Sequence, residues 1–200
     1  MSCHSGTGRR WYEATTPPRS FTWLHYGVKT LVRRQVGPTC VPNAVCAALE
    51  MAYQIHCRQK ILLSEHELIE YGISGSSSFA LAWISKNGVS LRDDYLQGKQ
   101  DGKIIFIYDF IRGPSLHSSD LIKFIFRQPA EFYKIDGKVA NVLHTMVAVG
   151  WVLDDKNEVY FMVHNSWGSD WGKNGYGWIH QSCIERVRVP ILYRDCRVIA

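Results

Sequence analysis

Two polar side chains bracket a pair of apolar segments late in the sequence, and their chemical types suit acid–base catalysis. His144 begins the apolar run 144–153, and Asn165 follows the next run, 158–164. Polar residues at 154–157 separate the two runs, so an antiparallel hairpin is expected. Such a hairpin brings both side chains to one edge, where an amide can hold an imidazole that serves a thiol nucleophile.

Cys40 is the thiol placed best to act as that nucleophile. Gly37 and Pro38 break the chain just before it, and Pro42 is tolerated in a first helical turn. Apolar residues then recur at helical spacing, which predicts a helix from Cys40 to about Arg58. At the N-terminus of a helix, the macrodipole and the free backbone N–H groups favour a thiolate.

Helices precede strands along the chain, which predicts the α+β class. A second helix is expected from Ser64, with a capping-box spacing to Glu67, and it stops at Gly72. A third is expected from about Ser78 to Lys86. Shorter elements are expected as strands at 28–34, 104–108, 176–180 and 189–193, and as a helix at 119–126.

The order of these elements predicts one domain over residues 19–200, preceded by a flexible lead over residues 1–18. A helical lobe of about residues 35–100 carries the cysteine, and a β lobe of about residues 101–200 carries the histidine and the asparagine. The site is therefore expected in a cleft between the two lobes.

The composition supports one compact unit and disfavours several other classes of protein. The 200 residues are 46% hydrophobic, which is enough for one core. The net charge is +5, but lysines and arginines are scattered, so nucleic-acid binding is not expected. No apolar run is long enough for a membrane span, and we find neither a signal peptide nor a pro-region.

The six cysteines leave the disulfide pattern open. If Cys40 is catalytic, five remain, and Cys46 is expected to be a buried apolar residue of its helix. Cys183 and Cys196 are one candidate disulfide pair. Neither CxxC nor HxxxH spacing occurs, so no metal site and no cofactor are expected.

The block from His144 to Trp178 resembles the papain-like cysteine peptidases, the papain and cathepsin family. It is similar to their histidine strand and to their Asn-Ser-Trp-Gly segment almost residue for residue. Weaker similarity extends upstream, so that the resemblance covers roughly residues 20–195. The weaker matches are Phe21-Thr22-Trp23, Val32-Arg33-Arg34-Gln35, Leu63-Ser64-Glu65-His66-Glu67-Leu68 and Lys86-Asn87-Gly88-Val89.

The resemblance implies a papain-like two-lobed fold, with a helical N-terminal half and an antiparallel, barrel-like β half. Cys40 would be the nucleophile and His144 the general base and acid. Asn165 would orient the imidazole, and Trp167 would shield that hydrogen bond from water. Gln35 would donate its amide to the oxyanion beside the Cys40 backbone N–H.

The same resemblance implies where substrate would bind and what the partners would be. Thr145 would border a side-chain pocket, and Gly75 and Trp167 would also contact substrate. Peptides or proteins would be the substrates, protein inhibitors of cysteine peptidases would be further partners, and the chain would be a monomer. Members of the family are typically vacuolar, lysosomal or secreted, and the compartment of this chain stays open.

The function expected from these residues is that of a thiol endopeptidase, a cysteine-type peptidase that works through an acyl-enzyme. Two departures from the family keep alternatives open. Gln35 lies five positions before Cys40, where the family has six, and Val41 replaces the family's tryptophan. One alternative is a catalytically impaired papain-like binding or decoy protein. Another is an acyltransferase or ligase on the same scaffold.

Overall fold

The helices of a computed structural model agree with the three helices predicted for the first half of the chain. The structure describes residues 18–99, 104–105, 107–113, 130–135 and 143–192. Its helices are α1 (Cys40–Cys57), α2 (Glu65–Glu70), α3 (Ser77–Asn87) and α4 (Arg92–Leu96). The first three confirm the predicted helices, and α4 is an addition. The helix predicted at 119–126 lies outside the described residues.

The strands form one large antiparallel sheet and one short pair. They are β1 (Ser20–Thr22), β2 (Val89–Ser90), β3 (Ile104–Ile105), β4 (Ile107–Gly113), β5 (Ala130–Ile135), β6 (Leu143–Leu153), β7 (Val159–His164), β8 (Tyr176–His180) and β9 (Ile184–Leu192). Among the described residues the large sheet has seven strands in the order β4-β9-β5-β6-β7-β8, with β1 paired to β6. The short pair consists of β2 and β3.

α1 is the central helix, because every residue from Val41 to Tyr53 is buried. One of its faces packs against α2 and α3, and another packs against β6. A helix that is apolar nearly all round is expected to lie between two layers. The clusters contain Val45, Leu49, Leu68, Leu81 and Ile84 on the helical side and Ala44, Ala47, Met51, Val147 and Val149 on the sheet side.

The cap of α2 confirms the role predicted for Ser64. Its Oγ accepts a hydrogen bond from the backbone N–H of Glu67 at 3.1 Å. The Glu67 carboxylate does not return to the cap, because its Oε2 accepts instead from the backbone N–H of Ser90 at 2.7 Å. This bond joins α2 to β2.

The hairpin of β6 and β7 confirms the predicted pair of strands. Val147 lies opposite His164 in the register. The residues that follow β7 therefore lie opposite the first residues of β6. In the middle of β6, a Cβ on Gly150 would lie 2.3 Å from the carbonyl oxygen of Phe21, so only glycine allows β1 to pair this closely.

Three predicted strands differ from the observed ones. The segment 28–34 is not a strand and makes a single bridge, from Arg34 to Trp167, because its partner turns away after residue 168. The run 104–108 is divided between β3 and β4, which belong to different sheets. β9 begins at Ile184, five residues before the predicted start at residue 189. Glu185 and Arg186 interrupt the apolar pattern of the sequence, so this earlier start was not predicted.

The bonding of the cysteines differs from the Cys183–Cys196 disulfide considered above. Cys183 has a free thiol at the end of the short 3₁₀ turn Gln181–Cys183, so its pairing with Cys196 is wrong. Cys196 itself lies outside the described residues. Cys57, at the end of α1, is disulfide-bonded. Cys46 is confirmed as a buried residue of α1, and burial raises the pKa of its thiol.

Candidate active site

His144, Asn165 and Trp167 form one contiguous group at the open end of the β6–β7 hairpin. His144 Nε2 lies 2.7 Å from Asn165 Oδ1. The Trp167 indole stacks on the imidazole, with ring centroids 4.6 Å apart and planes inclined by 25°. His144 is 8% exposed and Asn165 is 1% exposed, whereas Trp167 is 45% exposed. The indole therefore covers one side of the imidazole and leaves its own outer face to solvent.

A second hydrogen bond to the same amide oxygen assigns the proton on His144. The backbone N–H of Ser166 donates to Asn165 Oδ1 at 2.8 Å. Because a backbone N–H can only donate, this atom is an acceptor oxygen, and His144 Nε2 must donate its proton to it. Nδ1 is then the nitrogen that takes up or releases a proton. This is the arrangement of a base with an orienting group.

Cys40 is the first residue of α1 and is half-buried with a free thiol. Thr39 is the N-cap, and the first turn contains no acidic residue. The backbone dipoles at this end of the helix therefore favour a negative charge. The packing of α1 on β6 lays the helix that begins at Cys40 against the strand that carries His144. A reactive pairing of Cys40 with His144 stays a prediction.

Gln35 is joined to the asparagine segment by two hydrogen bonds with Ser166. The Gln35 backbone N–H donates to Ser166 O at 2.7 Å, and Ser166 Oγ donates to Gln35 Oε1, also at 2.7 Å. Two residues after Ser166, the backbone N–H of Gly168 donates to the Arg33 carbonyl oxygen at 3.0 Å. The segment 31–35 is therefore attached to the β lobe although it leads into α1. Ser166 also sets the orientation of the Gln35 amide.

The short turn between Gln35 and Cys40 engages the Gln35 amide nitrogen locally. Gln35 Nε2 donates to Gly37 O at 2.9 Å, and the backbone N–H of Thr39 donates to the same carbonyl at 2.9 Å. An amide nitrogen carries two N–H donors. The turn therefore uses one N–H of the Gln35 amide. The second N–H is the donor that an oxyanion would need.

Comparisons with known proteins point to one family. Residues 116–190 match a family model described as papain family cysteine protease. Cysteine protease 1 from Oryza sativa subsp. japonica is 30% identical over an alignment that covers 86% of this chain. The chain belongs to the papain family of cysteine proteases. Thiol protease SEN102 from Hemerocallis sp. is 27% identical over 85% of this papain-family chain. The chain spans 44% and 57% of the lengths of these two relatives.

Solved structures show that this papain-family chain has the papain-like fold. The Carica candamarcensis cysteine protease CMS1MS2, solved in complex with E-64, aligns with a TM-score of 0.75 at 24% identity. That alignment covers 88% of this chain and 100% of the other. The ragweed pollen allergen Amb a 11, solved in its proform, aligns with a TM-score of 0.78 at 20% identity, over 92% of this chain and 61% of the other. The predicted α+β class and papain-like fold are confirmed.

A buried ion-pair network lies under the segment 31–35 of this papain-family chain, and sequence reasoning missed it. Arg33 Nη2 is 2.5 Å from Glu50 Oε1, and its Nε is 3.1 Å from Glu65 Oε2. Glu50 Oε1 also accepts from the backbone N–H of Leu63 at 2.7 Å. Burial opposes the charge of Arg33, but the two carboxylates outweigh it and raise the pKa of the guanidinium. Glu50 is the residue from which the network could have been predicted, because a single acidic residue in an apolar helix needs a buried partner.

Thr145 and Gly75, the two remaining residues predicted to bind substrate, differ in their exposure to solvent. Thr145 is 1% exposed, and its hydroxyl has no hydrogen-bond partner among the described residues. Gly75 lies between α2 and α3, with open space where a Cβ would project. Substrate contact by either residue stays a prediction. Within the described ranges, no cluster of three or more His, Cys, Asp or Glu suits a metal ion, and no helix is suited to cross a membrane.

Proposed function

We propose that this papain-family chain is a thiol endopeptidase that hydrolyses peptide bonds through an acyl-enzyme on Cys40. The observation that carries the proposal is the 2.7 Å hydrogen bond between His144 Nε2 and Asn165 Oδ1 beside the Trp167 indole. This bond leaves Nδ1 to exchange the proton, as a base for a thiol nucleophile requires. The names of the relatives, a cysteine protease and a thiol protease, support the same chemistry.

Acylation uses Cys40 as the nucleophile and His144 as the acid. The thiolate attacks the scissile carbonyl, so a C–S bond forms while the carbonyl π electrons move onto oxygen. The backbone N–H of Cys40 and the second N–H of the Gln35 amide donate to that oxyanion. The intermediate then collapses, the C–N bond breaks, and the leaving amine takes the proton from His144.

Deacylation uses the same groups in the opposite sense. His144, now neutral, takes a proton from water while the water oxygen bonds to the acyl carbon. The C–S bond breaks, which releases the carboxylic acid product and restores the thiolate–imidazolium pair. Asn165 holds the imidazole in one orientation through both steps, and Ser166 does the same for the Gln35 amide.

The partners proposed for this chemistry are peptides or proteins as substrates. Thr145, Trp167 and Gly75 are the residues that we propose contact them. Protein inhibitors of cysteine peptidases are proposed to bind the same site. All four proposed catalytic residues belong to one chain, so we propose a monomer.

A thiol-reactive epoxide probe, E-64, tests the proposal. At pH 6, intact-mass measurement is expected to show one equivalent added to Cys40, with parallel hydrolysis of a fluorogenic peptide. Cys183→Ser is the matched control, because Cys183 is also free and half-buried, and its labelling is expected to equal that of the unmodified chain. Cys40→Ala is expected to abolish labelling. A folded protein whose Cys40 stays unlabelled would overturn the proposal.

The hydrogen bond from Gln35 Nε2 to Gly37 O favours one alternative function, an impaired papain-like protein that binds peptides without turnover. Loss of an oxyanion donor typically lowers turnover by about 10²–10³-fold. Labelling of Cys40 without peptide hydrolysis would support this alternative. Transfer of the acyl group to an added amine, at the expense of hydrolysis, would indicate an acyltransferase.

A further inference from the structure

Arg188 is a buried cation that the proposed mechanism does not use. It lies in β9, which pairs with β4 on one side and with β5 on the other, so its backbone is held away from the edges of the large sheet. The residue is 9% exposed. Burial of a guanidinium is costly unless acceptors meet its N–H groups, so the contacts of this side chain show what it is used for.

One hydrogen bond of Arg188 crosses from the β lobe to the helical lobe. Arg188 Nε donates to Ser78 Oγ at 2.7 Å, and Ser78 lies in the first turn of α3. Arg188 Nη1 donates to the Val187 carbonyl oxygen at 2.7 Å, and this second bond stays within β9. A hydrogen bond from a charged donor is shorter and stronger than a neutral one. The Arg188–Ser78 bond therefore attaches the start of a helix to a central strand of the sheet.

The first turn of α3 depends on contacts outside the helix, because its own end is poorly capped. Ser76 is the N-cap residue, but its side chain makes no capping hydrogen bond among the described residues. The residues of the first turn, 77–79, include no acidic side chain that would complement the helix dipole. Ser77 is fully buried, so this unsupported end is packed inside the protein. The Arg188–Ser78 bond is therefore expected to stabilise the turn.

The charge of Arg188 does not by itself favour this position. The N-terminus of a helix carries a partial positive charge, which repels a guanidinium. The hydrogen bond to the Ser78 hydroxyl is therefore the attractive part of the contact. Removal of the hydroxyl is a cleaner change than removal of the arginine, because loss of the arginine would also relieve the repulsion.

The stretch next to this bond is the one proposed to contact substrate. Gly75 lies three residues before Ser78, and Gly75 and Ser76 are exposed. On the other side, Ile73 is buried in the helical lobe, and its backbone N–H donates to Leu68 O at 2.8 Å. The exposed stretch thus has one anchor in the helical lobe, and the helix that follows it is attached to the β lobe.

We propose that Arg188 is a positioning residue that fixes the start of α3, and with it Gly75, against the β lobe. Neither Arg188 nor Ser78 is one of the proposed catalytic residues, so their bond is expected to affect substrate binding and not the chemical step. This effect on binding rests on the proposed function. The effect on the first turn of α3 does not, because the bond exists whether or not the chain turns over a substrate.

The test compares Ser78→Ala with Ser85→Ala in hydrolysis of a fluorogenic peptide. Both serines are half-buried residues of α3, but Ser85 Oγ donates to Ala82 O at 2.9 Å, within the helix itself. Alanine is a strong helix former, so both variants are expected to fold. Ser78→Ala is expected to raise KM by up to about tenfold, the equivalent of one hydrogen bond, with kcat unchanged. Ser85→Ala is expected to change neither constant, and equal KM values in the two variants would overturn the proposal.

Amide hydrogen exchange provides a second readout that does not need turnover. The backbone N–H of Ala80 donates to Ser76 O at 2.9 Å in the first turn of α3. Exchange at Ala80 is expected to be up to about tenfold faster in Ser78→Ala and unchanged in Ser85→Ala. Ser78→Thr keeps the hydroxyl and is expected to retain both the KM and the exchange rate of the unmodified chain. If Cys40 never reacts, the proposed function fails, and the exchange comparison alone decides the role of Arg188. Unchanged exchange at Ala80 in Ser78→Ala would overturn the proposal.

Discussion

Replacing His144 with alanine is expected to lower peptide turnover by about 10⁴-fold or more while the protein remains folded. In the proposed mechanism, the imidazole is both the base that generates the thiolate and the acid that protonates the leaving amine. Its orientation comes from the bond to Asn165 Oδ1, so neither water nor a neighbouring side chain can replace it. The measurement is kcat/KM with a fluorogenic peptide, accompanied by thermal unfolding of the same preparation.

Two controls make the His144 result specific. His180→Ala removes another histidine of the same sheet, and its turnover is expected to stay close to that of the unmodified chain. Cys40→Ala combined with His144→Ala is expected to be no slower than either single variant, because groups that act as a unit are not additive. Residual activity within tenfold of the unmodified chain in His144→Ala would contradict its role as the base.

Replacing Arg33 with methionine is expected to destabilise the fold by about 3–5 kcal/mol, because two buried carboxylates lose their cationic partner. Glu50 and Glu65 are both nearly inaccessible to solvent in the network, and each contacts the same guanidinium. Their mutual repulsion then acts where water cannot screen it. The free energy of unfolding in urea at pH 7 measures the effect.

The neighbouring arginine provides the matched control for stability. Arg34 pairs with Asp170, but the two side chains are 63% and 71% exposed. Exposed pairs of this kind typically contribute about 0–1 kcal/mol. Arg34→Met is therefore expected to change the free energy of unfolding by no more than that. Similar losses in Arg33→Met and Arg34→Met would show that the buried network does not stabilise the fold as argued.

The network and the proposed site meet in the segment 31–35. The Arg33 guanidinium contacts two carboxylates of the helical lobe. The Arg33 carbonyl oxygen accepts a hydrogen bond from the backbone N–H of Gly168 in the β lobe. Two residues later, Gln35 is fixed by Ser166. The same short stretch thus carries the proposed oxyanion donor and joins the two lobes. A substitution in the network is therefore expected to affect the position of Gln35 as well as stability.

Strong local patterns explain what the sequence could predict. The helix from Cys40 has apolar residues at helical spacing and begins after a glycine–proline break, and it was observed within one residue of its predicted end. The β6–β7 hairpin consists of two apolar runs around a polar turn, so both strands and the edge shared by His144 and Asn165 followed. In each case neighbours in the chain determine the conformation.

Features that depend on contacts distant in the chain were not predictable in this way. The segment 28–34 is apolar enough for a strand, but its conformation depends on Ser166 and Gly168, which lie more than 130 positions later. β1 pairs with β6 only because Gly150 leaves space for it. The choice between disulfide partners likewise depends on which cysteines meet in space.

The most direct test of the central claim is to trap the acyl-enzyme. A peptide ester is mixed with the protein, the reaction is quenched in acid during steady-state turnover, and the digested chain is analysed by mass spectrometry. The account predicts the acyl group on Cys40, and neither adduct nor turnover in Cys40→Ala. Hydrolysis that persists in Cys40→Ala, or an acyl group found on another residue, would contradict the claim that Cys40 is the nucleophile.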